Sequence, residues 1–227
     1  MLRTLLFTLA LVAISLTSFA EVRAQSDEKK FEVGGQFSIM RMETRSINPG
    51  FGTTISTGHE NVFGLGGRVG YNFSKYFAAE AELNFFPQDD DVKAGRKIQG
   101  LFGVKAGKRF DKVGVFAKAR PGFIRYEKGD YEFASGVVCV LIFPPPLACM
   151  NPVARTNFAI DLGGVVEVYP SKRTIIRFDA GDTIVRFPAR SVAAPDPDFG
   201  PGVLFAVPVA AETKHQFQAS VGFGFRF

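Results

Sequence analysis

Phe63-Gly-Leu-Gly-Gly-Arg-Val-Gly-Tyr-Asn-Phe73, then Ser74-Lys75-Tyr76, then Phe77-Ala-Ala-Glu-Ala-Glu-Leu-Asn-Phe85, is the stretch whose reading decides the fold. Side chains of a β-strand point alternately to its two faces, so every second residue shares a surface. The first run sets Phe63, Leu65, Gly67, Val69, Tyr71 and Phe73 against Gly64, Gly66, Arg68, Gly70 and Asn72. The second sets Phe77, Ala79, Ala81, Leu83 and Phe85 against Ala78, Glu80, Glu82 and Asn84. One face is oily and the other small or polar, and a short turn joins the two runs.

The same period recurs on both sides of this hairpin, for eight segments in all. Phe31, Val33, Gly35, Phe37 and Ile39 oppose Glu32, Gly34, Gln36 and Ser38. Further along, Phe102, Val104 and Ala106 oppose Gly103 and Lys105, and Val115, Ala117 and Ala119 oppose Phe116, Lys118 and Arg120. Phe158, Ile160, Leu162 and Val166 oppose Asp161 and Glu167, and Ile176 and Phe178 oppose Arg177 and Asp179. The last run sets Phe217, Ala219, Val221, Phe223, Phe225 and Phe227 against Gln218, Ser220, Gly222, Gly224 and Arg226. The 24 glycines fall mostly inside these segments. In helices each would cost about 1 kcal/mol relative to Ala, which disfavours a helical reading.

The connections alternate as regularly as the faces do. Residues 74–76, 109–112 and 170–173 are short turns, whereas residues 44–60, 87–96, 127–155 and 187–214 form longer loops. Tight turns at one end and extended loops at the other are the pattern of an outer-membrane barrel. The apolar stretch 137–143 either extends a hairpin or adds a strand pair, which would make ten strands.

The N-terminus carries Arg3, an apolar run over residues 5–16, and small residues at two cleavage positions, Ala20 and Ala24. That is a secretory signal peptide, too short to span a bilayer as a helix, which needs about 20 residues. Residues 1–24 are therefore read as the signal and residues 25–227 as a single barrel domain. Removing the signal takes Arg3, Glu21 and Arg23 away, so the formal charge falls from +5 to +4. Bases and acids are interspersed, so nucleic acid is not an expected partner.

A soluble sandwich also alternates, so what each face meets has to be argued. Over eight strands the apolar sets are aromatic-rich and about ten residues long, the length a tilted strand needs to cross hydrocarbon. The expected fold is thus an all-β, antiparallel, up-and-down transmembrane barrel with its oily face in lipid. The interior set carries Arg68, Lys105, Lys118, Arg120 and Arg177 against Glu80, Glu82, Asp161, Glu167 and Asp179. An eight-stranded barrel has an interior just wide enough for side chains to fill. A lumen plugged by salt bridges follows, with Glu80 and Glu82 pairing among Lys118, Arg120 and Arg177, and with glycines making room for the long cations.

These residues resemble the OmpA-type and OmpX-type outer-membrane β-barrel domain proteins. The resemblance rests on Phe77-Ala-Ala-Glu-Ala-Glu-Leu83, Leu101-Phe-Gly-Val-Lys-Ala-Gly107, Phe116-Ala-Lys-Ala-Arg-Pro-Gly-Phe123 and the C-terminal strand, and it covers residues 31–227. It implies a bacterial outer-membrane location, with long loops outside and both termini in the periplasm. It also implies that Phe217, Val221, Phe223, Phe225 and Phe227 form the signal read by the barrel assembly machinery, with periplasmic chaperones as further partners. The interfacial Trp residues of such barrels are missing, which leaves Tyr71, Tyr76, Tyr126, Tyr169 and the 25 Phe for an aromatic girdle.

Candidates for chemistry are few. Cys139 and Cys149 flank Pro144-Pro145-Pro146 in the third long loop, and an exported protein favours a disulfide between them. Asp89, Asp90 and Asp91 read as a solvated loop, with an external cation site as the alternative. His59 and His215 fall at strand ends. A lipid-facing hydrolase would want a Ser two positions from His215, where Phe217 stands. No catalytic, metal or cofactor residue is therefore expected. The function read from the chain is a non-enzymatic, monomeric barrel in an envelope-structural or surface-interaction role, touching outer-membrane lipids and lipopolysaccharide. A narrow porin-like channel is the first alternative, an outer-leaflet lipid-modifying enzyme the second, and a soluble lipocalin-like carrier a third that the C-terminal aromatics disfavour.

Overall fold

The computed structural model describes residues 29–48, 54–87, 95–133, 150–196 and 200–227. The signal segment, Asp89 to Asp91, stretch 137–143, Cys139 and Cys149 lie outside the described residues. Within them there are ten strands and no helix: β1 (Phe31–Asn48), β2 (Thr54–Asn72), β3 (Phe77–Phe86), β4 (Lys97–Arg109), β5 (Val113–Phe133), β6 (Met150–Val168), β7 (Thr174–Phe187), β8 (Arg190–Asp196), β9 (Gly200–Val209) and β10 (Glu212–Arg226).

Eight of these close into one antiparallel barrel in the order β1-β10-β7-β6-β5-β4-β3-β2, while β8 and β9 pair only with each other. The β8–β9 pair stands in the connection from β7 to β10, away from stretch 137–143, and the barrel wall itself has eight strands. Closure joins the first strand to the last. Phe31 and Phe227 exchange backbone hydrogen bonds, and the register runs from Glu32 opposite Arg226 to Met40 opposite Gln218. No edge is left in the wall for lipid to strand without partners.

The strands are longer than the sequence periodicity suggested. β1 and β2 stay paired from Phe31 opposite Tyr71 to Asn48 opposite Thr54, so much of the connection expected at residues 44–60 is sheet. β5 and β6 likewise run on to Phe133 opposite Met150, past a register shift between Tyr126 and Asp130. The physical reason is that alternation of oily and polar residues ends where the apolar belt ends, whereas backbone pairing does not need that belt to continue.

Alternation fixes the two faces. Phe37, Phe63, Leu65, Leu83, Phe102, Val115, Phe158, Leu162, Phe178 and Phe217 are exposed on the outside, whereas Glu80, Glu82, Lys105, Lys118, Arg120, Asp161, Glu167 and Arg177 are buried inside. At the end with the short turns an aromatic rim forms, with Tyr71 packed edge-on to Phe31 at 5.0 Å and to Phe73 at 5.1 Å. Tyr126 and Tyr169 do not join a girdle, because both are buried inside the barrel.

The glycines of the inner face divide in two: Gly64, Gly66 and Gly114 leave room for the side chains of Phe86, Asn84 and Tyr169, and Gly222 lies near Arg68, whereas others are pressed against backbone. A Cβ on Gly103 would meet the Ala119 carbonyl and lie 2.6 Å from the Arg120 Cα, so the obstruction is the neighbouring strand's backbone. At Gly163 it would meet the Ala180 carbonyl, with the Gly181 Cα at 2.5 Å. Tight inward curvature of a narrow barrel leaves no volume at these positions.

Candidate functional site

The interior is layered along the barrel axis. Nearest the short turns, Arg109 donates to Tyr169 Oη at 2.9 Å, to Glu32 Oε1 at 3.0 Å and to Asn72 Oδ1 at 3.2 Å. Asn72 Nδ2 donates to Glu32 Oε1 at 2.9 Å, and Tyr169 Oη donates to Glu167 Oε2 at 2.7 Å. The Arg226 guanidinium lies 4.2 Å from the centre of the Tyr169 ring. Burial, reinforced by the Glu167 carboxylate, pushes the Tyr169 hydroxyl well above its ordinary range, so it stays a donor.

One layer further in, the Lys105 ammonium sits among three carboxylates, 2.9 Å from Glu32, 3.2 Å from Glu80 and 2.5 Å from Glu167. Oxygens of these three acids lie within 4.8 Å of one another, a spacing that could hold a metal ion. Lys105 supplies the positive charge there instead, and its three N–H donors suit three acceptors. The Phe116 ring covers it at 5.0 Å.

The middle of the barrel holds the guanidinium network. Arg177 grips Glu80 with both terminal nitrogens, one contact being at 2.9 Å, and also donates to Asp179 at 2.8 Å. Arg120 donates to Asp161 Oδ2 through Nε at 2.8 Å and Nη2 at 2.6 Å, and to Glu82 through Nη1 at 2.5 Å. Lys118 bridges Asp161, at 2.8 Å, and Asp179. Glu80 and Glu82 therefore meet Arg177 and Arg120 but not Lys118. Arg68 is buried beside Glu82 in the register yet makes no ion pair within 4 Å among the described residues.

Above the ions comes an amide layer. Asn84 donates to Glu82 at 2.7 Å and to Gln99 at 2.8 Å and accepts from Gln36 at 2.9 Å. Gln99 and Gln218 exchange hydrogen bonds at 2.8 and 3.1 Å, and Thr183 donates to Gln218 at 3.0 Å. At the long-loop end the interior turns apolar. Met40, Met42, Val62, Phe86, Ile124, Tyr126, Ala159 and Val185 form one buried cluster with Phe187 against it.

Sequence reasoning missed three members of the ionic part. Glu32 is legible as an inward position of the first segment, whereas Arg109 falls in a short turn and Tyr169 at a strand end, where neither carries an inward signal. The apolar layer was missed too, although Met40, Met42, Val62, Phe86, Ile124 and Tyr126 keep the inward parity of their strands just beyond the belt.

Of the two histidines, His59 is exposed, and His215 Nδ1 lies 2.5 Å from Asp182 Oδ2 with both residues exposed on the outside of β10 and β7. Phe217, Val221, Phe223, Phe225 and Phe227 all face outward.

A closed antiparallel cylinder, greasy outside and ionic within, is the architecture of a protein that crosses a membrane with strands. The family model for the outer membrane protein beta-barrel domain matches residues 6–227, and the chain belongs to that family, which implies the bacterial outer membrane. The barrel is similar to the crystal structure of Neisserial surface protein A, at 10% identity and a TM-score of 0.50, covering 87% of this chain and 97% of that one. It is also similar to outer membrane protein H of Pseudomonas aeruginosa in micelles, at 16% identity, a TM-score of 0.45 and coverages of 87% and 99%. OprG of the same organism matches at 12% identity, with a TM-score of 0.44 and coverages of 88% and 98%. At such identities the likeness is one of fold. No curated protein matches the sequence.

Proposed function

We propose that this chain is a non-enzymatic outer-membrane barrel whose interior is shut, and that it acts through its long-loop end in an envelope-structural or surface-interaction role. One observation carries the reading: the interior is filled twice over, by the ion network from Glu32 to Glu82 and by the apolar cluster around Phe86. Water entering from the long-loop end meets the buried layer around Phe86 and Ile124, and an ion passing it meets side chains largely neutralised by each other.

In this reading the short turns and both termini face the periplasm, the longer strands of β1-β2 and β5-β6 rise outside, and residues 1–24 are removed on export. The outward aromatics of β10, from Phe217 to Phe227, serve recognition by the barrel assembly machinery after delivery by periplasmic chaperones. Closure of the wall within one chain supports a monomer. Cys139 and Cys149 form a disulfide across the third loop. The absence of a nucleophile beside His215, where Phe217 stands, supports the non-enzymatic reading.

The test is conductance of the purified, refolded full chain in planar bilayers, combined with outer-membrane fractionation. The expected result is recovery in the outer membrane without steady single-channel openings. Regular openings of fixed size would replace this reading with a narrow channel.

A further inference from the structure

Outside the barrel, at the level where the apolar belt gives way to the long loops, two arginines stand without an acid. Arg125 on β5 is exposed and donates to Thr156 on β6 at 3.4 Å. Arg186 on β7 is exposed and donates to Thr213 on β10 at 3.2 Å. Among the described residues, nearby acids are engaged elsewhere: Glu127 with Arg96 at 2.7 Å, Asp182 with His215 at 2.5 Å, and Glu212 with Lys214 at 3.7 Å and Arg190 at 3.8 Å. Neither Arg125 nor Arg186 makes an ion pair among the described residues, so two positive charges are left over on one face.

The register sets their spacing. Arg125 is opposite Thr156, and Arg186 is opposite Phe158, two residues nearer the belt on the intervening β6. With one strand between them, their backbones stand about 10 Å apart across the sheet and about 7 Å apart along it, within joint reach of two arginine side chains. Phe123 stands two residues below Arg125, and Phe158 lies in the same row between Phe123 and Arg186; both rings are exposed. A ligand that fits carries an anionic group at the height of the guanidiniums and hydrocarbon beneath it. Arginine forks match phosphate geometry with paired hydrogen bonds, which favours phosphate over a point anion.

We propose that the outer face of β5, β6 and β7 binds a phosphorylated glycolipid of the outer leaflet, with a phosphate held between Arg125 and Arg186 and acyl chains lying along Phe123 and Phe158. This inference rests on the orientation given under the proposed function, which puts the long-loop end at that leaflet.

The experiment is native mass spectrometry of the full, folded chain released from detergent, with bisphosphorylated lipid A as the probe. Parallel arms use dephosphorylated lipid A, phosphatidylglycerol and inorganic phosphate. The proposal expects retention of bisphosphorylated lipid A, at least about tenfold weaker binding in Arg125→Gln/Arg186→Gln, and unchanged binding in Lys172→Gln at the opposite end. A heat-modifiability gel checks that each variant is folded. If the double glutamine variant does not fold, Arg125→Lys/Arg186→Lys replaces it, with weakened binding expected because charge is kept but the fork is lost. Unchanged binding in the folded double variant, or equal binding of the dephosphorylated lipid, would overturn the site. Equal binding of phosphatidylglycerol or inorganic phosphate would overturn the glycolipid as its occupant. Steady channel openings would instead overturn the proposed function and leave this outcome separately readable.

Discussion

The two halves of the barrel interior are built on opposite principles. Towards the short turns, Lys105, Arg120 and Arg177 are buried with Glu32, Glu80, Glu82, Asp161, Glu167 and Asp179, and half-buried Arg109 joins them through Glu32. Towards the long loops, Met40, Phe86, Ile124 and Val185 pack together, with Lys97 buried opposite Phe86 and Tyr126. Removing charges from water is expensive, and mutual attraction repays it only when every member is satisfied. In the ionic half the loss of one partner leaves a buried charge uncompensated, whereas the apolar half loses stability by increments as methylenes are removed. The amide layer of Asn84, Gln99 and Gln218 lies between them and joins the two, since Asn84 donates to Glu82 on one side and to Gln99 on the other.

The largest break in this contrast is expected from Lys105→Ala. Three carboxylates would lose their shared cation, at a cost of about 3–5 kcal/mol in urea unfolding of the refolded barrel. Millimolar calcium should restore part of that loss in the variant and leave the parent unchanged, because the three acids then have the spacing to hold an ion. A variant with parental stability would show that the network tolerates gaps and that the two halves do not differ in kind.

Phe86→Ala attacks the other half. It removes a large, fully buried side chain and should lower stability by about 3 kcal/mol, while planar-bilayer traces stay silent because the ions beneath still fill the interior. Openings in this variant alone would move the seal from the ionic half to the apolar one.

Gly103→Ala sits where the ionic half meets the wall. The new Cβ would lie against the backbone at Arg120, and a loss of about 1–3 kcal/mol is expected, read as a lowered urea midpoint. An unchanged midpoint would mean that the strands can relax and that the inward curvature does not require glycine there. The smallest effect belongs to Ile124→Val in the apolar layer, about 0.5–1.5 kcal/mol. Its comparison with Lys105→Ala sets the loss of one methylene beside the loss of a buried charge partner on the same unfolding assay.

Much of the wall was legible because alternation is a local property. Phe63 to Phe73 and Phe77 to Phe85 display their two faces without reference to any other strand, and the turn at residues 74–76 ties them together. The ends of strands were not legible in the same way. Beyond Ile39 the inward positions become Met40 and Met42, so both faces are apolar or mixed and the period-two signal fades, although β1 continues to Asn48. The pair β8–β9 was assigned no strands for a related reason: its Pro and Gly residues read as turn. Tyr169 looked like a girdle residue because it follows β6 at the barrel's end, and nothing local says that its ring turns inward to Glu167.

By itself the sequence determined that eight alternating strands would form a wall with an oily and a charged surface, and most of the charged residues that share the inner one. Who pairs with whom was decided only by closure. Arg177 on β7 meets Glu80 on β3, Lys105 on β4 reaches Glu32 on β1, and Gln99 meets Gln218, 119 positions away. None of these pairs sits on neighbouring strands. They meet because a narrow cylinder brings non-adjacent strands within a side chain's length across its axis, and that distance depends on stagger and curvature that no single strand encodes.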